Sequence, residues 1–494
     1  MNIARHVERG RRLYPERPAL VFEDRTISYA RLDELAARAA NALGGLGIRE
    51  EDRVALLLPN IPAFVYAYLG ILKLGAIAVS LNVMLKTKEL AFFLGDSGAR
   101  IVITTEDLAR RIPAGELSHL EHVLLAEGGR DGAPRLETLM DRAAPIARAG
   151  KLDANRAAAI VYTSGTTGLP LGVTLSHGNV VSNIRAKTRY TGMRPEDRVL
   201  LFVPMFHCFG QNAVLNSVLN TGATAVLMRE FSLDGVLEAI SRHGVTMFFG
   251  VPTTYILLLE CASPEELRSV RYYFSAAATM PREVARRWRA TYGVAIHEGY
   301  GLTETSPFAS YNHETEYRLG SIGTPIEGVE MKIVDVDDGR DLPDGEIGEI
   351  AVRGPNVMLG YWNRPEETRR AIVEGWFHTG DLGHFDGDGY FFLVDRLKDM
   401  INVAGLKVYP AEVEDVLYGH AGVSEAAVIG AEDAVTGERV EARVVARPGH
   451  AVSEEALLAH CRREIASYKV PSRVEFVASL PKNATGKVLR RMLR

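Results

Sequence analysis

An apolar, strand-like run at residues 158–162 leads into YTSGTTGLPLGVTLSH, residues 162–177, where glycines and hydroxyls crowd together. Glycine lets backbone N–H groups approach an anion closely, and Ser164, Thr166 and Thr167 add hydroxyl donors. Such a loop is suited to wrapping a polyphosphate. Its spacing is not that of Walker A, because no Gly-Lys-Ser/Thr follows the first glycine at the required distance. A Gly/Thr-rich surface turn is the bland alternative, and the density of these residues directly after a buried strand argues against it. A helix is expected to resume near Gly178.

The loop resembles the phosphate-binding signature of the adenylate-forming superfamily, which includes acyl-CoA synthetases, peptide-synthetase adenylation domains and beetle luciferases. Four further segments agree, in the family's order: GYGLTETSP (299–307), GWFHTGDLG (375–383), DRLKDMINVAGLKVYPAEVE (395–414) and PKNATGKVLRR (481–491). The resemblance spans essentially the whole chain. It implies ATP, Mg2+ and coenzyme A as partners of a small carboxylic acid, and an AMP-forming acid–thiol ligase, with fatty acid or related acyl-CoA ligases closest in pattern.

By that resemblance Thr163, Ser164, Gly165, Thr166, Thr167 and Gly168 hold the phosphates. Tyr300 stacks on adenine, Thr303 touches the α-phosphate, and Glu304 holds magnesium together with Thr166. Each role suits its side chain: an aromatic face stacks on a base, and hard oxygen ligands suit magnesium. Asp381 is the expected ribose ligand, since an ionised carboxylate can accept from both vicinal hydroxyls. Arg396 offers a fixed fork to ribose or phosphate oxygens. Lys487 is the implied catalytic lysine: a carboxylate attacking a phosphate brings two anions together, and a cation there stabilises the transition state. Outside these motifs the defaults would be a solvated Glu, a turn-capping Asp, a surface ion pair and a solvated Lys.

His207, in PMFHCFG, matches the family's gate beside the acyl pocket; a satisfied core histidine is its rival. By family analogy residues 207–215, 248–255 and 275–279 line that pocket. They supply Phe209, Phe249, Ala276, Ala277 and Ala278, with no evident Lys or Arg for a second carboxylate, which favours an apolar monoacid. The small alanines leave room for a fatty chain, and an aryl or alicyclic acid fits the same residues. The resemblance also implies a C-terminal domain that swings about Lys398, presenting Lys487 for adenylation and the 403–407 loop, with Gly405 and Lys407, for thioester formation. Loading of a carrier protein's phosphopantetheine, or a non-catalytic nucleotide-binding role, are the alternatives. One departure stands out: Leu171 occupies the position where relatives carry Lys, and Leu cannot offer a mobile charge to the departing phosphates. Slower adenylation is expected.

Apolar runs of strand length recur at 53–58, 101–104, 158–162, 199–203, 224–228 and 246–249, with helical spacing between them at 31–46 and 233–243. Alternation of this kind argues for α/β layers with mostly parallel sheets. Residues 64–85 are apolar enough to span a bilayer on paper but contain Lys73, Gly70 and Gly75, and read as a buried helix followed by a buried strand. After about residue 321 short β pieces separated by Gly, Pro and Asp suggest a small barrel-like unit. A compact α+β pattern follows from residue 399. The expected architecture is therefore an N-terminal domain at 1–395, its β-rich subdomain at about 321–395, a hinge at 396–399 and a small mobile α+β domain at 400–494.

A net charge of -5, from 57 basic and 62 acidic residues, gives no broad pull toward nucleic acid. Cys208, Cys261 and Cys461 match neither a metal spacing nor a disulfide framework, which fits a reducing compartment. The charged N-terminus lacks a signal-peptide core. A cytoplasmic protein without a membrane span is expected, and a homodimer is compatible with the resemblance.

Overall fold

The computed structural model describes all residues except 130–133, 164–169, 313–315, 485 and 494. Among the described residues two large sheets dominate. One has seven strands, in the order Gly360–Tyr361, Leu171–Ser176, Ala157–Thr163, Ile77–Ser80, Arg53–Leu57, Ile101–Thr105, His122–Glu127. Its five central and outer strands from Ala157–Thr163 onward are parallel, and their near-continuous burial reflects cover on both faces.

The second sheet runs Thr324–Pro325, Phe308–Tyr311, Ile296–Gly301, Tyr272–Ser275, Met247–Gly250, Arg198–Leu201, Thr224–Leu227, Pro18–Phe22, Arg25–Ser28. Its inner strands are also parallel. One continuous core joins both sheets through the helix Pro62–Lys73, every residue of which is buried. The apolar stretch read from sequence as helix then strand is this helix and the strand Ile77–Ser80. Helix Tyr29–Gly45 lies against it so closely that a Cβ at Gly70 would fall 2.9 Å from the Ala40 nitrogen. Only glycine fits there.

Residues 171–176 depart from expectation. The sequence reading carried the loop on to a helix near Gly178, whereas Leu171–Ser176 forms a strand antiparallel to Ala157–Thr163. The helix then starts at His177, with Ser176 and Asn179 bonding each other's backbone at 3.0 and 2.8 Å in a capping box, and stops at Gly192.

A five-stranded antiparallel unit follows, built from Glu330–Val334, Gly348–Arg353, Ile372–Val373, Trp376–Phe385 and Phe391–Arg396. A separate, smaller C-terminal domain has its own core of Ile401, Val413, Val428, Val444 and Leu457 around a second five-stranded sheet. It docks on the larger domain, for example through the Arg282 N–H and Asp415 Oδ1 at 3.0 Å. No helix among the described residues is long and apolar enough to cross a membrane.

Candidate active site

Three neighbouring parallel strands, Met247–Gly250, Tyr272–Ser275 and Ile296–Gly301, end side by side. Their carboxyl ends carry Phe249, then Ala276–Ala278, then Tyr300. Strand Arg198–Leu201, beside them, leads to His207. The crevice beyond the carboxyl ends of parallel strands is where α/β sheets bind ligands.

Asp381 and Arg396 face each other in antiparallel register, because strands Trp376–Phe385 and Phe391–Arg396 pair at those two positions. Arg396 Nε lies 3.1 Å from Asp381 Oδ1, and the Tyr300 hydroxyl donates to Asp381 Oδ2 at 2.8 Å. Asp381 is buried. An ionised carboxylate has about four acceptor sites, so these two partners leave capacity for two more donors.

Glu304 and Thr303 sit in a short turn, both buried. Tyr361 donates to Glu304 Oε1 at 3.1 Å, a partner that sequence reading missed because it lies 57 residues away and is brought near only by tertiary structure. Burial pushes the Glu304 carboxyl up. A hard cation beside this buried oxygen pair would offset that cost, so Glu304 fits a magnesium ligand. Thr303 Oγ1 contacts Cys208 Sγ at 3.3 Å.

The His207 Nδ1 accepts from the Phe209 N–H at 3.2 Å, which places a neutral ring's proton on Nε2. Burial, reinforced by the charge of Lys487, lowers its pKa to about 4. The same interaction puts Lys487 in this neighbourhood. Burial first, and then Arg396, lower the Lys487 pKa to about 8, while Asp381 opposes the shift. The tip carrying Lys487 is a tight turn closed by Asn483 N–H to the Lys487 carbonyl at 2.9 Å. Gly486 has φ 82°, and a Cβ there would stand 2.9 Å from Thr253 Oγ1. A positive φ and a close approach to the larger domain both call for glycine at this point.

Thus Tyr300, Thr303, Glu304, Asp381, Arg396, His207 and Lys487 are brought together. Thr163 ends its strand opposite Leu171. Ser164, Gly165, Thr166, Thr167 and Gly168 lie outside the described residues. Lys398, Gly405 and Lys407 are not in this group: all three are exposed, and Lys407 lies near Asp335 of the β-rich unit. Ala404 and Gly405, with φ 50° and 87°, make a two-residue turn between strands Ile401–Val403 and Leu406–Val408.

Of the residues expected at the acyl site, Phe209 and Phe249 are buried together with Phe274 and Phe308, with neighbouring ring centroids 5.4–6.4 Å apart. Ala276 is buried, Ala277 and Ala278 less so, and Ala277 has φ 70°. Residues 207–215, 248–255 and 275–279 carry no Lys or Arg of their own, and one approaches them from another element. Lys187 Nζ stands 4.1 Å from the Phe249 ring centroid, because the helix His177–Thr191 turns Asn179, Asn183 and Lys187 inward while Arg185 and Arg189 stay exposed. Glu298 was also missed. It is buried directly before Gly299, its Oε1 has no partner among the described residues, and burial pushes its pKa up to about 8.

Comparison with known proteins follows the same outline. Residues 7–362 match the family model described as AMP-binding enzyme, and residues 412–487 match the AMP-binding enzyme C-terminal domain. A feruloyl-CoA synthase from Amycolatopsis sp is 38% identical over 504 residues, covering 98% of this chain and 97% of that protein. A long-chain-fatty-acid–CoA ligase from Salmonella typhimurium is 36% identical over 518 residues, covering 97% and 92%. Among solved structures, an anthranilate CoA ligase in complex with anthranoyl-AMP superposes with a TM-score of 0.95 at 33% identity, covering 100% of this chain and 96% of that one.

Proposed function

The chain belongs to the AMP-binding enzyme family and is an AMP-forming acid–CoA ligase that uses ATP, magnesium and coenzyme A; from that premise we propose that it activates a compact aryl monocarboxylic acid, with Lys487 serving the first half-reaction. The observation that carries the reading is the meeting of Lys487, from the small domain, with His207, Asp381 and Arg396 of the large one.

In the first step a carboxylate oxygen of the acid attacks the α-phosphorus of ATP, the bond to the β-phosphate bridging oxygen breaks, and pyrophosphate leaves. Negative charge grows on the bridging oxygens, and Lys487 supplies a preorganised positive group there. Asp381 receives the ribose hydroxyls while Tyr300, its hydroxyl tethered, presents a ring to adenine. Neutral His207 donates from Nε2 without adding a second cation. Glu304 would hold magnesium, which when bound would lessen the repulsion between the two anions. In the second step the coenzyme A sulfur attacks the acyl carbonyl and AMP departs. The small domain, turning about residues 396–399, exchanges Lys487 for the Ala404–Gly405 turn; a few terminal residues suffice to absorb such a rotation.

For the acid, the buried cluster of Phe209, Phe249, Phe274 and Phe308 beside the carboxyl ends of the parallel strands favours a flat ring over a long flexible chain, since aromatic faces stack on rings. The fatty chain favoured from the small alanines is set second on this ground. Among similar proteins the feruloyl-CoA synthase and the anthranilate ligase favour an aryl acid, and the long-chain-fatty-acid–CoA ligase favours the fatty chain. A panel of acids assayed for acid-dependent AMP formation tests it: kcat/KM for aryl acids should exceed that for long-chain fatty acids, and the reverse order overturns the preference.

Two further outcomes follow from this assignment. Lys487 is charged below about pH 8 and loses its proton above it, so adenylate formation should fall about tenfold per pH unit on the alkaline side. Lys487→Arg, which stays charged, should remove that limb; its persistence in the variant assigns the titration elsewhere. Leu171 is buried at the start of its strand, opposite Thr163. Lys placed there could run its stem along the apolar wall and bring its charge to the phosphates. Leu171→Lys is expected to speed single-turnover adenylate formation by about 10-fold, and an unchanged rate would show that the loop needs no such cation.

A further inference from the structure

Arg490 lies three residues beyond Lys487 and reaches both sides of the hinge. Its own domain holds it first: Nη2 donates to Glu414 Oε1 and Oε2 at 2.8 Å each, and Nε to Oε1 at 3.2 Å. Glu414 sits on helix Pro410–Tyr418 of the small domain and also accepts from the Val428 N–H at 2.8 Å. The remaining nitrogen, Nη1, turns back to Asp395 Oδ1 at 3.3 Å, with Asp399 Oδ2 at 3.5 Å. Asp395 belongs to Phe391–Arg396, the last strand of the large domain, directly before residues 396–399.

Asp395 takes a second bond from the small domain. Its Oδ2 accepts from the Ala411 N–H, in the first turn of helix Pro410–Tyr418, at 2.8 Å. A carboxylate is favoured at that end of a helix. The Asp395 side chain is 3% exposed, so little water competes for either bond. By contrast the Arg447–Glu260 pair, which also crosses between the domains, is 3.5 Å long and leaves Glu260 36% exposed.

The local backbone couples this anchor to Lys487. Lys482 pairs antiparallel with Val488, and the Leu489 N–H donates to the Pro481 carbonyl at 2.8 Å. The segment bearing Lys487 is thus a short ladder with Arg490 at its foot, roughly 10 Å from the Lys487 backbone at about 3.3 Å per residue. A small tilt at the foot displaces the tip, and misplacing a reacting group by about 1 Å can slow a reaction 10²-fold.

We infer that Asp395 and Arg490 form a latch that sets the small domain in the adenylating arrangement; both are positioning residues that act through Lys487. The inference rests on the exchange of domain positions proposed above. When the small domain turns about residues 396–399, Arg490 and Glu414 travel together and Asp395 stays behind. The Asp395 bonds to Arg490 and to Ala411 therefore exist in one arrangement only, while Arg490–Glu414 persists in both. A contact made in one state alone shifts the equilibrium toward that state. Glu414 keeps the guanidinium paired after release, which makes the latch reversible.

The test follows the two half-reactions, and the distance between a dye on each domain, in the wild type, Asp395→Asn, Arg490→Gln and the double variant. Each single variant should slow single-turnover adenylate formation about tenfold, and leave thioester formation from a synthetic acyl-adenylate unchanged or faster. With ATP bound, each should populate the wild-type ATP-bound distance less. The double variant should lose no more than the larger single loss, since both changes remove one contact. Equal loss in both half-reactions with the distances unmoved marks a merely structural pair and overturns the inference. So does wild-type adenylate formation in Asp395→Asn, or fully additive losses in the double variant. If one single variant does not fold, the rates and distances of the other decide. A wild type whose interdomain distance is the same with ATP as with acyl-adenylate and coenzyme A removes the domain exchange itself, and the latch with it.

Discussion

Lys487→Ala is expected to lower acyl-adenylate formation by about 10²–10³-fold, the range for losing one preorganised charge donor. Thioester formation from a synthetic acyl-adenylate should hardly change. Lys487 is placed by three features of this chain. Asn483 Oδ1 accepts from the Lys487 N–H and fixes its backbone, Gly486 lets the tip press on Thr253, and burial strips water from the amine. A cation in that setting acts on the bridging oxygens far more strongly than in bulk water. In the thioester step the phosphate anion is already a leaving group, and the proposal gives Lys487 no role there. Rapid-quench measurement of the two half-reactions separates these cases. Equal damage to both steps would contradict the exchange of domain positions.

Asp381→Ala is expected to lower kcat/KM for ATP by about 10²-fold, with the KM for the acid moved much less. Two consequences add. The ribose loses its acceptor, and the buried Tyr300 hydroxyl and Arg396 guanidinium lose theirs. Leaving buried donors unpaired costs more than the bond itself gains. Tyr300 then has no tether to hold its ring for adenine. Asp381→Asn, which keeps one acceptor oxygen, should recover part of the loss. Steady-state kinetics with ATP varied at saturating acid read the effect, and a loss confined to the acid's KM would move Asp381 out of the nucleotide site.

How far such a site can be read before folding depends on whether its residues share a local segment. Tyr300, Thr303 and Glu304 lie within five positions of one motif, and their side-chain chemistry was legible there. The strands at Arg53–Leu57, Ile101–Thr105 and Met247–Gly250 were legible because buried parallel strands are short continuous apolar runs. Leu171–Ser176 was not, since the glycines before it masked a strand whose partner lies across the loop. The pairing of Asp381 with Arg396 depends on strand register, which a run of short β pieces does not reveal. Tyr361, Glu298 and Lys187 were invisible for a common reason. Burial of a polar side chain is decided by what packs over it, and over Lys187 that cover includes the segments around residues 209–215 and 249. An Asn-Asn-Lys face at four-residue spacing looks like a solvated stripe until those segments close on it.

The most direct measurement is exchange of labelled pyrophosphate into ATP by the purified wild-type protein with magnesium and a set of aryl acids, followed by AMP release on addition of coenzyme A. The account predicts exchange that requires the acid, and AMP release that coenzyme A accelerates. Absence of acid-dependent exchange with every acid, in protein that binds ATP, would contradict it.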